Sequence, residues 1–206
     1  MKKTIIALCA VFAAVVTVGC GDGSKDSVEY KSKSLDETII KPINDYFDGY
    51  NNNKPESAVM SFTPQICVDK MKENETFDDL LQTAQGDITN TYEVWESNYG
   101  NDCSVQIEGN VIGTPMTESQ LICSENYLDM YYYDLDLDFK IKEGYAVDFK
   151  YSVTGDKDKL EGDQTACLVK PENDDWKLIL ADIETINLYT GADVNLGGAA
   201  ESSSEE

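Results

Sequence analysis

LDLDFKIKEGYAVDFKYSV, residues 135–153, puts Leu135, Leu137, Phe139, Ile141, Tyr145, Val147, Phe149, Tyr151 and Val153 all on odd positions. A period of two is the pattern of a strand with one buried face. Glu143-Gly144 breaks the run, so the spacing predicts a long, interrupted strand. After a polar turn from Gly155 to Gly162, Thr165 to Lys170 and Trp176 to Asp182 read as two further strands joined by Pro171 to Asp175. Together they form an antiparallel meander, with Ile183 to Tyr189 expected to cover an edge of the sheet.

Working upstream, the periodicity changes. Thr117 to Gln120 has the form of a capping box and opens a helix carrying Leu121, Ile122, Tyr127, Leu128 and Tyr131. Val105, Ile107 and Val111 alternate with polar residues, and Gly109-Asn110 between them reads as a bend or bulge in a strand. Phe77, Leu80, Leu81, Ala84, Ile88, Trp95 and Tyr99 trace one stripe of a long helix that Gly100 stops. Pro55 and Thr63-Pro64 start two short helices, near Pro55 to Ser61 and Pro64 to Lys72. Ser34-Leu35-Asp36-Glu37 has the S-x-x-E form, so a first helix is expected from there, bearing Ile39, Ile43, Tyr46, Phe47 and Tyr50 and interrupted at Pro42.

The N-terminus carries a different signal. Lys2 and Lys3 precede an apolar run from Ile5 to Val18, shorter than the roughly 17–25 residues of a spanning helix. Val16-Thr17-Val18-Gly19-Cys20 resembles the lipobox of bacterial lipoproteins, with Thr17 where leucine is usual. The resemblance implies cleavage after Gly19 and diacylglycerol on the sulfur of Cys20, so the membrane is a partner through that lipid. Two or more acyl chains hold a protein on a bilayer where one would let go. The expected organisation is therefore a signal peptide (1–19), the lipidated cysteine with a polar tether (20–34), an α+β domain (35–189) and an acidic disordered tail (190–206).

Composition narrows the function classes. Loss of Lys2 and Lys3 leaves 14 lysines against 39 acidic residues, a formal charge of −25. Such a charge repels phosphate backbones and anionic lipids, which disfavours nucleic acid as a partner. The chain has no histidine and no arginine. It therefore lacks the usual general base, the usual zinc ligand and the bidentate fork for carboxylate or phosphate. Neither a catalytic constellation nor a cofactor or metal site is expected.

Cys9 leaves with the signal and Cys20 takes lipid, so Cys67, Cys103, Cys123 and Cys167 remain as candidate disulfide cysteines, for which three pairings exist. At least one disulfide is expected, against the alternative of buried free thiols. Asp134, Asp136 and Asp138 open like a calcium loop, but Phe139 and Tyr145 stand where Gly and Glu are required, so a solvated strand face shared with Lys140 and Lys142 is expected. Asp156, Asp158, Glu161 and Asp163 could clasp a cation, or simply form a polar turn. Tyr127, Tyr131, Tyr132, Tyr133 and Tyr145 could line a cavity mouth, although packing between helix and sheet accounts for most of them. Trp95 and Trp176 are expected as core anchors.

The order of helices, strand, helix and closing meander resembles the cystatin-like α+β roll typified by nuclear transport factor 2. Asn98-Tyr99-Gly100-Asn101-Asp102, the helix from Thr117 to Met130, Gly144-Tyr145-Ala146-Val147 and Asp174-Asp175-Trp176-Lys177-Leu178 are similar to small lipoproteins of Gram-positive bacteria carrying such a roll. The likeness covers residues 35–182. It implies N-terminal helices packed on a curved antiparallel sheet of about four strands, with a conical cavity between them. Enzymes of this fold commonly use an Asp-His pair, which this chain cannot supply. The expectation is a non-catalytic, lipid-anchored domain on the extracytoplasmic side of the cell membrane, binding a small molecule or an envelope protein. The alternatives are a carboxylate-dependent enzyme acting on envelope glycan, needing two pocket carboxylates about 5–9 Å apart, and a structural envelope protein.

Overall fold

A computed structural model of the chain describes residues 31–190. The signal peptide, Cys20, most of the expected tether and all but the first residue of the expected acidic tail lie outside the described residues.

The first helix, α1 (Glu37–Asn51), starts one residue beyond Asp36, whose Oδ1 accepts from the backbone N–H groups of Thr38 and Ile39 at 3.1 and 3.2 Å. Asp36, not Ser34, is the N-cap. Ser34 instead pairs with Ile112 in a two-residue edge strand, β1 (Lys33–Ser34), so the sheet includes residues from the stretch expected as tether. Pro42 sits within α1 without ending it, and the helix buries Ile43, Tyr46, Phe47 and Tyr50 at the expected spacing.

Helices α2 (Pro55–Phe62) and α3 (Gln65–Glu73) follow their prolines as expected. Gly49 of α1 permits the first of these to pack close, because a Cβ there would lie 2.6 Å from the Ala58 nitrogen. The long helix α4 (Phe77–Tyr99) buries Phe77, Ile88 and Trp95 and stops at Gly100, whose φ of 92° suits glycine alone.

Five strands make one antiparallel sheet in the order β1-β2-β3-β4-β5. The second, β2 (Ser104–Pro115), slips register between Glu108 and Ile112, around Gly109 with φ 75°. Helix α5 (Glu118–Tyr131) has the expected capping box between Thr117 and Gln120 and connects β2 to β3. The third strand, β3 (Ile141–Thr154), is shorter than the alternation implies. Tyr133–Leu135 form a 3₁₀ turn closed by Asp136 at φ 51°, and the chain enters the sheet only at Ile141, with a register shift before Glu143.

The fourth strand, β4 (Lys159–Pro171), starts well before Thr165. Its polar half, Lys159 to Asp163, pairs with Thr154 to Lys150, leaving a turn in which the Gly155 N–H donates to the Asp158 carbonyl at 3.0 Å. The last strand, β5 (Lys177–Ile179), leads into the single turn α6 (Ile183–Ile186).

The apolar run Ala166-Cys167-Leu168-Val169 of β4 is buried throughout, and its alternation divides it between two cores. Ala166 and Leu168 join Phe47, Val147, Phe149 and Tyr151 under α1 and α4. Cys167 and Val169 join Cys67, Cys123, Leu128 and Ile186 under α3, α5 and α6. The sheet is thus covered on both faces at this end, and the protein is an α+β fold of six helices and a five-stranded open sheet among the described residues.

Candidate functional site

Aromatic side chains meet within the first core. Phe47 rests on Phe149 and Tyr151 with ring centroids 6.3 and 6.5 Å apart, and Tyr145 meets Trp176 at 5.7 Å. A pocket does open between α1, α2 and α4, lined by Tyr46, Tyr50, Phe62, Leu80, Ala84 and Asp87 among others. It is small, with room for about one water molecule.

Inside that pocket the Tyr46 hydroxyl donates to the Tyr50 hydroxyl at 3.1 Å. Burial pushes both phenols up and raises the Asp87 carboxyl, since each would lose solvation on ionising. Asp87 is the one carboxylate in the lining, so the pocket lacks the pair of acids that glycoside hydrolysis requires.

The acidic stretches have local partners. Asp138 pairs with Lys140 at 3.1 Å, and Glu125 of α5 reaches the same ammonium at 3.8 Å while accepting the Ile141 N–H at 2.8 Å. The D-x-D-x-D segment is a turn and an extended entry to β3, not the strand face expected. In the hairpin, Asp156 Oδ1 accepts the Asn101 N–H at 2.8 Å, Asp158 accepts from the Lys159 N–H, and Glu161 pairs with Lys159 at 2.9 Å. Among the described residues no group of three or more His, Cys, Asp or Glu is arranged to hold a metal ion.

The tyrosines divide. Tyr132 and Tyr145 are buried, Tyr132 within 3.5 Å of the Thr63 hydroxyl. Tyr127 and Tyr131 stack at 6.2 Å along the flank of α5, and Tyr189 stands edge-on to Tyr127 at 5.1 Å. Tyr133 is 69% exposed. Tyr127, Tyr131 and Tyr132 thus pack into the second core, whereas Tyr145 packs on Trp176 in the first.

The disulfide expected among Cys67, Cys103, Cys123 and Cys167 is absent: all four are free, buried thiols. Cys103 belongs to the first core, where its Sγ donates to the Gly100 carbonyl at 3.0 Å. The other three lie in the second core on three different elements, α3, α5 and β4. Burial pushes the Cys67 and Cys167 thiols up to about 12.

Several contacts carry no local sequence signal. Lys177 is almost wholly buried, donating to the Met60 carbonyl at 3.2 Å and pairing with Asp174 at 3.5 Å. Asp174 in turn accepts the Gln65 N–H at 2.7 Å, so this pair ties β5 to the end of α2 and the start of α3. The outer side of α5 also departs from expectation. Ile122 and Met130 are 48% and 36% exposed although Cys123 and Leu128 already bury the inner side. Compared with protein-family models, with curated proteins and with solved structures, the chain matches none.

Proposed function

We propose that this chain is a lipid-anchored extracytoplasmic binding domain, held on the membrane by diacylglycerol on Cys20 and acting by surface contact with an envelope protein. The observation that carries the anchor is Val16-Thr17-Val18-Gly19-Cys20 closing a short apolar run behind Lys2 and Lys3. The lack of histidine and arginine supports a non-catalytic role. On this reading the α+β domain is a variant of the nuclear transport factor 2-like roll. Its interior is packed with Phe47, Phe149 and Tyr151, which favours a partner met at the surface over a small molecule held inside.

Intact-mass spectrometry of the protein recovered from its own cells tests the anchor. The expected product begins at Cys20 and carries a diacylglyceryl adduct, and Cys20→Ser moves the protein from the membrane fraction to the medium. An unmodified thiol at Cys20, or membrane retention of the Cys20→Ser chain, sinks the anchor. Site-specific photo-crosslinking on intact cells tests the binding role. An envelope protein is expected to attach at surface positions, and no adduct at any surface position removes that role.

A further inference from the structure

The outer face of α5 carries large apolar side chains that nothing among the described residues covers. Here Ile122 and Met130 lie two steps of four apart, on one row of the helix surface, and both face solvent. Between them Asn126 donates to the Tyr189 carbonyl at 2.9 Å, which brings the 77% exposed Leu188 to the side of the same helix. Tyr133, 69% exposed, follows at the end of α5. Four of the seven large apolar side chains exposed among the described residues therefore belong to this helix and the two segments that adjoin it.

The charge around the row is one-sided. From Glu73 through Phe139 the chain has 15 acidic residues and no lysine, and no lysine follows Lys177. The lysines that flank this stretch are engaged: Lys140 with Asp138 and Glu125, and Lys70 and Lys72 of α3 with Glu73 and the Phe77 ring. This leaves an apolar row set in negative potential. Such a surface attracts cationic groups and repels anionic ones.

We infer that the outer face of α5, with Leu188 and Tyr133, is a docking surface for a basic, amphipathic segment of a partner protein. The inference rests on the proposed binding role and gives its partner a chemistry. Apolar side chains of the segment cover Ile122 and Met130, while its lysines or arginines meet the surrounding carboxylates. The same charge argues against other occupants. A second copy and an anionic bilayer are both repelled, and residues 191–206 add four acids and no base.

Selection of random 16-residue peptides displayed on phage, panned against the whole processed protein in mild non-ionic detergent, tests this directly. Enriched peptides are expected to carry Lys or Arg between apolar residues spaced by three and four. A synthetic winner should lose at least tenfold in affinity to the Ile122→Ser/Met130→Ser chain and several-fold to Leu188→Ser, whereas Ile112→Ser on β2 leaves it unchanged. Circular dichroism checks that each variant is folded, and Leu188→Ser remains as a second probe if the double variant is not. No enrichment, winners without excess basic residues, or binding indifferent to these variants overturns the inference. So does sedimentation showing self-association, or flotation showing anionic-vesicle binding, that Ile122→Ser/Met130→Ser abolishes. The lipid on Cys20 and crosslinking in cells are read separately, so a failed selection beside intact crosslinks removes this surface and leaves the binding role standing.

Discussion

Asn51 grips Val105 by both of its backbone groups. The amide oxygen accepts the Val105 N–H at 2.8 Å and the amide nitrogen donates to the Val105 carbonyl at 2.8 Å. The last residue of α1 thereby acts as a one-residue strand on the outer edge of β2, where β1 does not reach. An open edge is a template for another chain, and a side chain that satisfies it removes that template locally.

Asn51→Ala leaves both groups of Val105 without their partner. The expected loss is about 1–3 kcal/mol in urea unfolding, with faster hydrogen exchange at the Val105 amide. Unchanged exchange there would show that the edge is held by something else.

Lys177→Met keeps the bulk of the side chain and removes its charge. The Met60 carbonyl loses its donor and Asp174 loses its cation. A cost of about 2–4 kcal/mol is expected. A chemical denaturation midpoint within error of the parent would make the pair no more than a surface contact.

Glu108 accepts from Ser152 at 2.6 Å, Lys159 at 3.0 Å and Gln106 at 3.2 Å, which brings its carboxyl from 4.5 down to about 2. A carboxyl depressed on folding contributes in full above its unfolded value and loses that contribution as pH falls through the folded one. Glu108→Gln should lower the melting temperature at pH 7 by about 1–3 °C. The gap to the parent should close between pH 4.5 and 2. A gap that persists to pH 2 would point to packing instead of charge.

The four buried thiols of the domain should resist iodoacetamide in the native protein at neutral pH, because only the thiolate attacks and burial holds the proton on Cys67 and Cys167. All four should label after unfolding without reductant. Two or four sites that label only after reduction would restore the disulfide.

Much of this fold was legible because its cues are local. The Thr117-Gln120 capping box, Pro55 at the start of α2, Pro64 before α3, and Gly100 after α4 each act within one turn of their own residue. The α5 face was not legible. Ile122 and Met130 fit a helical pattern as well as the buried Leu128 does, and only packing decides which side of a helix stays wet.

Sequence by itself determined the order and kind of the main elements, through periodicities and caps that need no distant partner. Tertiary structure alone decided where β3 begins, how early β4 starts, that Lys33 and Ser34 join the sheet, and that the four thiols are buried and unpaired. The physical reason is that strand pairing and thiol proximity depend on groups far away along the chain. A period of two continues from Leu135 whether or not a neighbouring strand is present to bond it.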